Sequence, residues 1–166
     1  MMLGMSFATF TVVHVVISLI GIASGIAVLL AMLNGKRLDA ANTVFLGTTI
    51  LTSATGFMFP FSQVLPSHIV GAISLVVLAI ALIAFYSQHL FGAWRWVYVV
   101  TATIALYLNV FVGVVQAFQK VSFLRPLAPT QAEAPFVIAQ VAVLALFVIL
   151  GIIAIVRFDP HADEVA

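Results

Sequence analysis

Five runs of about twenty or more apolar residues constrain this 166-residue chain more than any motif in it. They lie at about 9–33, 40–59, 68–88, 94–118 and 135–156, and every Lys, Arg, Asp and Glu falls at their ends or between them. A helix needs about 20 apolar residues to cross a bilayer. In lipid each backbone amide must be satisfied within the protein, which leaves helices or closed barrels. The runs are continuous rather than alternating, so they predict helices. Punctuation agrees: Asn34-Gly35 and Lys36-Arg37 close the first run and Pro60 the second; Pro66-Ser67 open the third, and Pro135 and Arg157 bracket the fifth. The first run is expected to be a span rather than a cleaved leader, because residues 1–10 carry no Lys or Arg and the run exceeds a leader's apolar core of about 7–15 residues. The expectation is an all-α integral membrane protein: one five-helix domain over residues 1–158, then a polar tail at 159–166.

Composition supports this and removes whole classes of function. The chain is 64% hydrophobic and 7% charged, whereas an ordinary soluble domain carries about 25% charged residues. Mean hydropathy is +1.30. A net charge of +1 gives nucleic acid no electrostatic footprint. With no cysteine there is no disulfide, thiolate nucleophile or iron–sulfur ligand. No run contains a carboxylate, which argues against an ion pathway or a di-iron site. No nucleophile motif is present, so no catalytic residue is assigned. With the amino terminus outside and the carboxyl terminus inside, Lys36, Arg37, Arg95 and Arg157 are cytoplasmic, and Lys120 and Arg125 lie outside. Four against two favours that orientation. Trp94, Trp96 and Tyr98 read as an interfacial anchor.

Polar residues within the runs are few and patterned. His14, Ser18, Gly21 and Gly25 recur at steps of four, three and four, which places them on one helix face. Asn109, Gly113, Gln116 and Lys120 repeat the same spacing on the fourth run. At about 1.5 Å of rise per residue, His14, Thr52, Ser53, Thr55, His68, Asn109, Gln116 and Gln140 all fall in the outer half. The inner half offers Gln88, His89 and little else. That agreement predicts a polar pocket in the outer half of the bundle.

Three functions suit such a pocket. The first is a b-type haem held by His14 and His68, for electron transfer or haem handling. Ser18 and Gly21 would lie beside one imidazole and Gly71 beside the other, where a flat macrocycle meets backbone. Asn109 or Gln116 would orient a ligand as its outer hydrogen-bond partner. Lys120 and Arg125 would meet the propionates. The same imidazoles could hold copper or zinc, but the ligand count falls short. The second is a non-enzymatic accessory or assembly subunit, with Gly21-x-x-x-Gly25 as a packing notch for a membrane-protein partner or a second copy. The third is a carrier or binding pocket for a small neutral or lipid-like molecule. The connector at 119–134 reads either as a lid over the pocket or as a plain link.

The run Tyr107-Leu-Asn-Val-Phe-Val-Gly-Val-Val-Gln-Ala-Phe118, with Leu127-Ala-Pro-Thr-Gln131 and Ala134-Pro-Phe136, resembles segments of small, uncharacterised bacterial inner-membrane proteins. It covers the last third of the chain. The resemblance implies a bacterial inner-membrane location and brings no activity with it.

Overall fold

The computed structural model describes residues 4–59 and 66–161, with residues 66 and 67 described through their backbone alone. The chain forms α1 (Phe7–Leu33), α2 (Asp39–Gly56), α3 (Pro66–Leu82), α4 (Trp94–Lys120) and α5 (Ala134–Arg157). A π turn at Ile83–Ser87 prolongs α3, and a 3-10 turn at Arg125–Leu127 lies between α4 and α5. The boundaries follow the apolar runs to within a few residues. Pro60, expected to close the second run, and positions 162–166 of the expected tail lie outside the described residues.

Among the described residues four helices are long and apolar enough to cross a membrane: α1, α3 with its π turn, α4 and α5. The second expected span is the one that falls short in composition. Its 18 residues reach about 27 Å, at about 1.5 Å each, against a hydrocarbon core of about 30 Å. It also carries Asp39, Asn42 and six hydroxyl residues. Thr43, Thr48 and Thr55 donate back to the carbonyls of Asp39, Val44 and Leu51, so much of this polarity is satisfied within the helix.

α1 packs on α2, α2 on α3, α3 on α4 and α4 on α1, which closes a four-helix ring. α5 lies outside it, against α4 and α1. The two ends of the ring differ. At the end where α5 finishes, the interior is solid: Val28, Leu29 and Met32 meet Phe45, Leu46, Leu78, Phe85, Tyr98, Val99 and Leu106. Gly25 makes that packing fit, because a Cβ on it would stand 2.6 Å from Leu106 Cδ1 and 2.8 Å from the Phe45 ring. The notch at Gly25 is therefore filled by the chain's own α2 and α4, and offers no seat to a partner helix.

The closed end also corrects two expectations. Tyr98 is 1% exposed and is no interfacial anchor. Its hydroxyl donates to Asn42 Oδ1 inside the core, a polar contact in a half expected to hold little. Asn42 sits too close to the start of its run to stand out by depth. Trp94 and Trp96 are 36% and 50% exposed, as an anchor requires.

Candidate functional site

The opposite, open end of the ring is hollow. A cavity of about 500 Å³ lies among the first half of α1, the second half of α2, the start of α3 and the second half of α4. Of the residues singled out from the sequence, His14, Ser18, His68, Gly71, Asn109, Gln116 and Lys120 line it. Thr52 and Ser53 do so as well.

His14 is the best defined group. Its Nδ1 lies 2.8 Å from Thr55 Oγ1. The single Thr55 hydroxyl hydrogen goes to Leu51 O at 2.6 Å, so its oxygen must accept. The neutral imidazole therefore carries its hydrogen on Nδ1 and leaves Nε2 as a bare acceptor. Phe59 meets the ring edge-on, with centroids 5.1 Å apart, and restrains its tilt. Gly56 stands close by: a Cβ there would be 3.9 Å from His14 Cε1.

One turn deeper, Ser18 Oγ donates to Asn109 Oδ1 at 3.0 Å and ties α1 to α4. Asn109 Nδ2, Thr48 Oγ1 and Thr49 Oγ1 each stand 3.1 Å from where a Cβ on Gly21 would lie. Gly21 is thus the bare surface on which α2 and α4 bring their polar groups together, and it does not itself line the cavity. It belongs with the polar layer, whereas Gly25 belongs with the apolar packing. Asn109 Nδ2, Thr49 Oγ1 and Thr52 Oγ1 are buried without a hydrogen-bond partner. On the α2–α3 side, Ser53 donates to Ser74 at 3.1 Å. Ser74 lines the cavity at 4% exposure, a position that sequence depth alone did not single out.

The mouth is mixed. His68 is half-buried, with its ring 5.7 Å from that of Phe57. Phe57 also takes the space beside Gly71, at 3.2 Å from a Cβ built there, so the backbone of Gly71 is covered rather than open to a flat ligand. Gln116 and Lys120 form an exposed rim on α4.

Three expected contributors lie elsewhere. Gln140 points from α5 into α4, donating to Phe111 O at 3.2 Å; four helices, not five, build the site. Arg125 is exposed on the connector and does not line the cavity. Nor does any other residue of 121–134. The connector folds back on α4 through Gln131, whose amide donates to Val115 O at 3.1 Å. Glu133 accepts from the Thr130 hydroxyl and from the amides of Thr130 and Ala132. The Thr130 hydroxyl bond first, and then the amide bonds, hold its carboxyl below the usual value.

Among the described residues no group of three or more His, Cys, Asp or Glu stands close enough to share a metal ion. No family model, no curated protein and no solved structure matches the chain.

Proposed function

We propose that the protein is a membrane binding protein or carrier whose open-end cavity holds one small uncharged molecule. The observation that carries this reading is the cavity itself. Its volume of about 500 Å³ lies within the range of about 300–1,000 Å³ of small-molecule sites. Its walls are mostly apolar, from Val15, Leu19, Ile22, Phe57, Phe59, Val70, Leu108 and Val112. Among the described residues its polar groups are two imidazoles, hydroxyls and amides, and its one Lys stands at the rim. A buried anion or cation would find no counter-charge there, whereas a neutral molecule would find hydrogen bonds without that cost. With Nδ1 committed to Thr55, His14 offers only an acceptor, so it selects a ligand with an O–H or N–H donor.

Native mass spectrometry of the protein released from mild detergent tests this. A bound small-molecule mass should appear, and it should be lost in Gly113→Leu, which fills the cavity where a Cβ alone meets only Ile22, at 3.7 Å. A wild-type spectrum without any adduct, from native membranes as well as after lipid extraction, would sink the reading.

A second reading is a b-type haem, favoured by one observation: His14 and His68, from different helices, line the same cavity. Thr55 serves His14 as the outer hydrogen-bond partner that haem and metal ligands commonly have. Lys120 and Gln116 stand where propionates would emerge, while the covered face of Gly71 speaks against a macrocycle lying there. An absorption spectrum before and after dithionite decides it, since a haem protein must show a Soret band.

The membrane reading extends in the same way. We place α2 as a fifth span, its polar face turned into the ring, with the amino terminus outside in a bacterial inner membrane. The Lys and Arg distribution supports the orientation. Single cysteines at Gly4 and Asp159, in a chain that has none of its own, should react with an impermeant thiol reagent from opposite sides.

A further inference from the structure

We infer that the inner part of the cavity binds a carbonyl-type oxygen between the hydroxyls of Thr49 and Thr52, so that the ligand has two polar ends: this acceptor, and a donor held by His14 Nε2. The inference rests on the ligand reading above and adds the chemical class. α2 carries five threonines, at 43, 48, 49, 52 and 55. A threonine inside a helix commonly returns its hydroxyl hydrogen to the carbonyl four residues back, and Thr43, Thr48 and Thr55 do so. Thr49 and Thr52 do not, although Phe45 and Thr48 stand four residues before them on the same helix. Both hydroxyls are buried without a partner among the described residues, and both residues line the cavity. A buried hydroxyl left unpaired is costly, and the cavity is the neighbouring space from which a partner can come.

Geometry narrows that partner. Positions three apart share a helix face, with Cβ atoms about 5–6 Å apart, so one atom placed between the two side chains meets both hydroxyls. Each hydroxyl has a single hydrogen to give. A carbonyl oxygen has two lone pairs and accepts both, whereas an N–H or O–H donor would leave both hydrogens unpaired. As the side chains stand, the two oxygens are covered, that of Thr49 resting against Gly21 at 3.1 Å from a built Cβ. A turn about Cα–Cβ to another staggered well swings such a hydroxyl toward the cavity that its residue lines. The point midway between Thr49 and Thr52 lies about 7 Å along α2 from Thr55, at about 1.5 Å per residue. Thr55 holds His14 Nδ1. The two polar ends of the ligand are therefore spaced by about one substituted aromatic ring, with the apolar walls around the body between them.

Thr49→Val and Thr52→Val in the purified full-length protein test this beside two controls. Thr48→Val removes a hydroxyl already bonded to Val44 O. Thr103→Val removes one that is also buried and unpartnered but lies outside the cavity, against Gly151. Binding is read by equilibrium dialysis in detergent, with Gly113→Leu as the micelle background. The probes are 4-hydroxyacetophenone, which has both ends, 4-ethylphenol, which lacks the carbonyl, and 4-methoxyacetophenone, which lacks the donor. One hydrogen bond is worth about fivefold in affinity, so the two-ended probe should bind about fivefold more tightly than either of the others. Thr49→Val and Thr52→Val should each weaken it about fivefold and leave 4-ethylphenol unchanged. Both should also raise Tm by about 2–4 °C, because an unpaired hydroxyl is gone. Thr103→Val should raise Tm and leave binding unchanged; Thr48→Val should do neither. A Tm that stays or falls in Thr49→Val and Thr52→Val would mean that an ordered water already pairs the hydroxyls, and would overturn the inference. Equal affinity for the three probes, or no binding of any, would overturn it too. The ligand reading fails separately: a native mass-spectrometry adduct that persists undiminished in both valine variants would refute only the two-ended class.

Discussion

Replacing Gly25 with alanine adds one methyl group at a point 2.6 Å from Leu106 Cδ1 and 2.8 Å from two carbons of the Phe45 ring. Neither neighbour has room to retreat, since Leu106 and Phe45 are each 1% exposed and packed in the closed-end core. Forcing a methyl into a filled core costs about 1–3 kcal/mol. The same substitution removes backbone freedom from a helix interior, which returns about 0.5–1 kcal/mol. The net expectation is destabilisation by about 1–2 kcal/mol, a fall in Tm of about 2–8 °C for a chain of this size. Gly47 supplies the control, because nothing lies within 4 Å of a Cβ built there. Gly47→Ala should keep only the favourable helix term and unfold at or above the parent temperature. Gly21→Ala should fall between them, its methyl meeting three polar atoms at 3.1 Å. Circular dichroism of the purified proteins in one detergent gives all three. If Gly25→Ala and Gly47→Ala unfold together, the close approach of α1 to α2 and α4 does not hold the ring, and the account of the closed end is wrong.

Three further outcomes follow from the contacts. Tyr98→Phe strands Asn42 at the closed end and should cost about 0.6–1.7 kcal/mol, the usual range of a polar contact between membrane helices, with no effect on ligand retention; loss of the ligand with stability unchanged would contradict the separation of the two ends. Thr55→Val removes the acceptor that fixes the His14 tautomer, so adduct retention in native mass spectrometry should weaken while Tm changes little; Thr43→Val, whose hydroxyl bonds Asp39 O and Tyr86 at the far end of α2, should not weaken it. For Glu133 the sign follows from a folded-state pKa below its ordinary value of 4.5. Its bonds to Thr130 and Ala132 are fully present above that value and are lost as pH falls through the lowered one, so amide exchange at Thr130 and Ala132 should accelerate only in that acid window. Glu133→Gln keeps one acceptor oxygen and puts a donor NH2 in place of the other, so the protection of the Ala132 amide should be lost at every pH.

Much of the fold was legible because lipid leaves a chain few choices: runs of this length become helices, and the ends marked by Asn34-Gly35 and Pro135 fell where expected. The candidate site was legible for the same reason, since similar depth on neighbouring helices brings His14 and Ser18 of α1 and Asn109 and Gln116 of α4 into the same half of the bundle whatever the details of packing. Depth does not fix rotation about a helix axis, and there the reading from sequence ran out. Gln140 lies at the right level but turns into α4, and Tyr98 sits beside two interfacial tryptophans yet faces the core. Rotation is set by which residues allow close approach, and on α1 that is decided by two glycines four positions apart. Gly25 admits Phe45 and Leu106, draws α2 and α4 against α1 and leaves no space. Gly21 admits Thr48, Thr49 and Asn109, whose polar atoms stop at 3.1 Å from the built Cβ rather than below 3.0 Å. From that turn outward the helices carry His14, Ser18 and Thr55 in place of interlocking apolar side chains, and the ring opens. The hollow therefore follows from where the apolar packing around Gly25 ends, one helical turn before the polar layer begins.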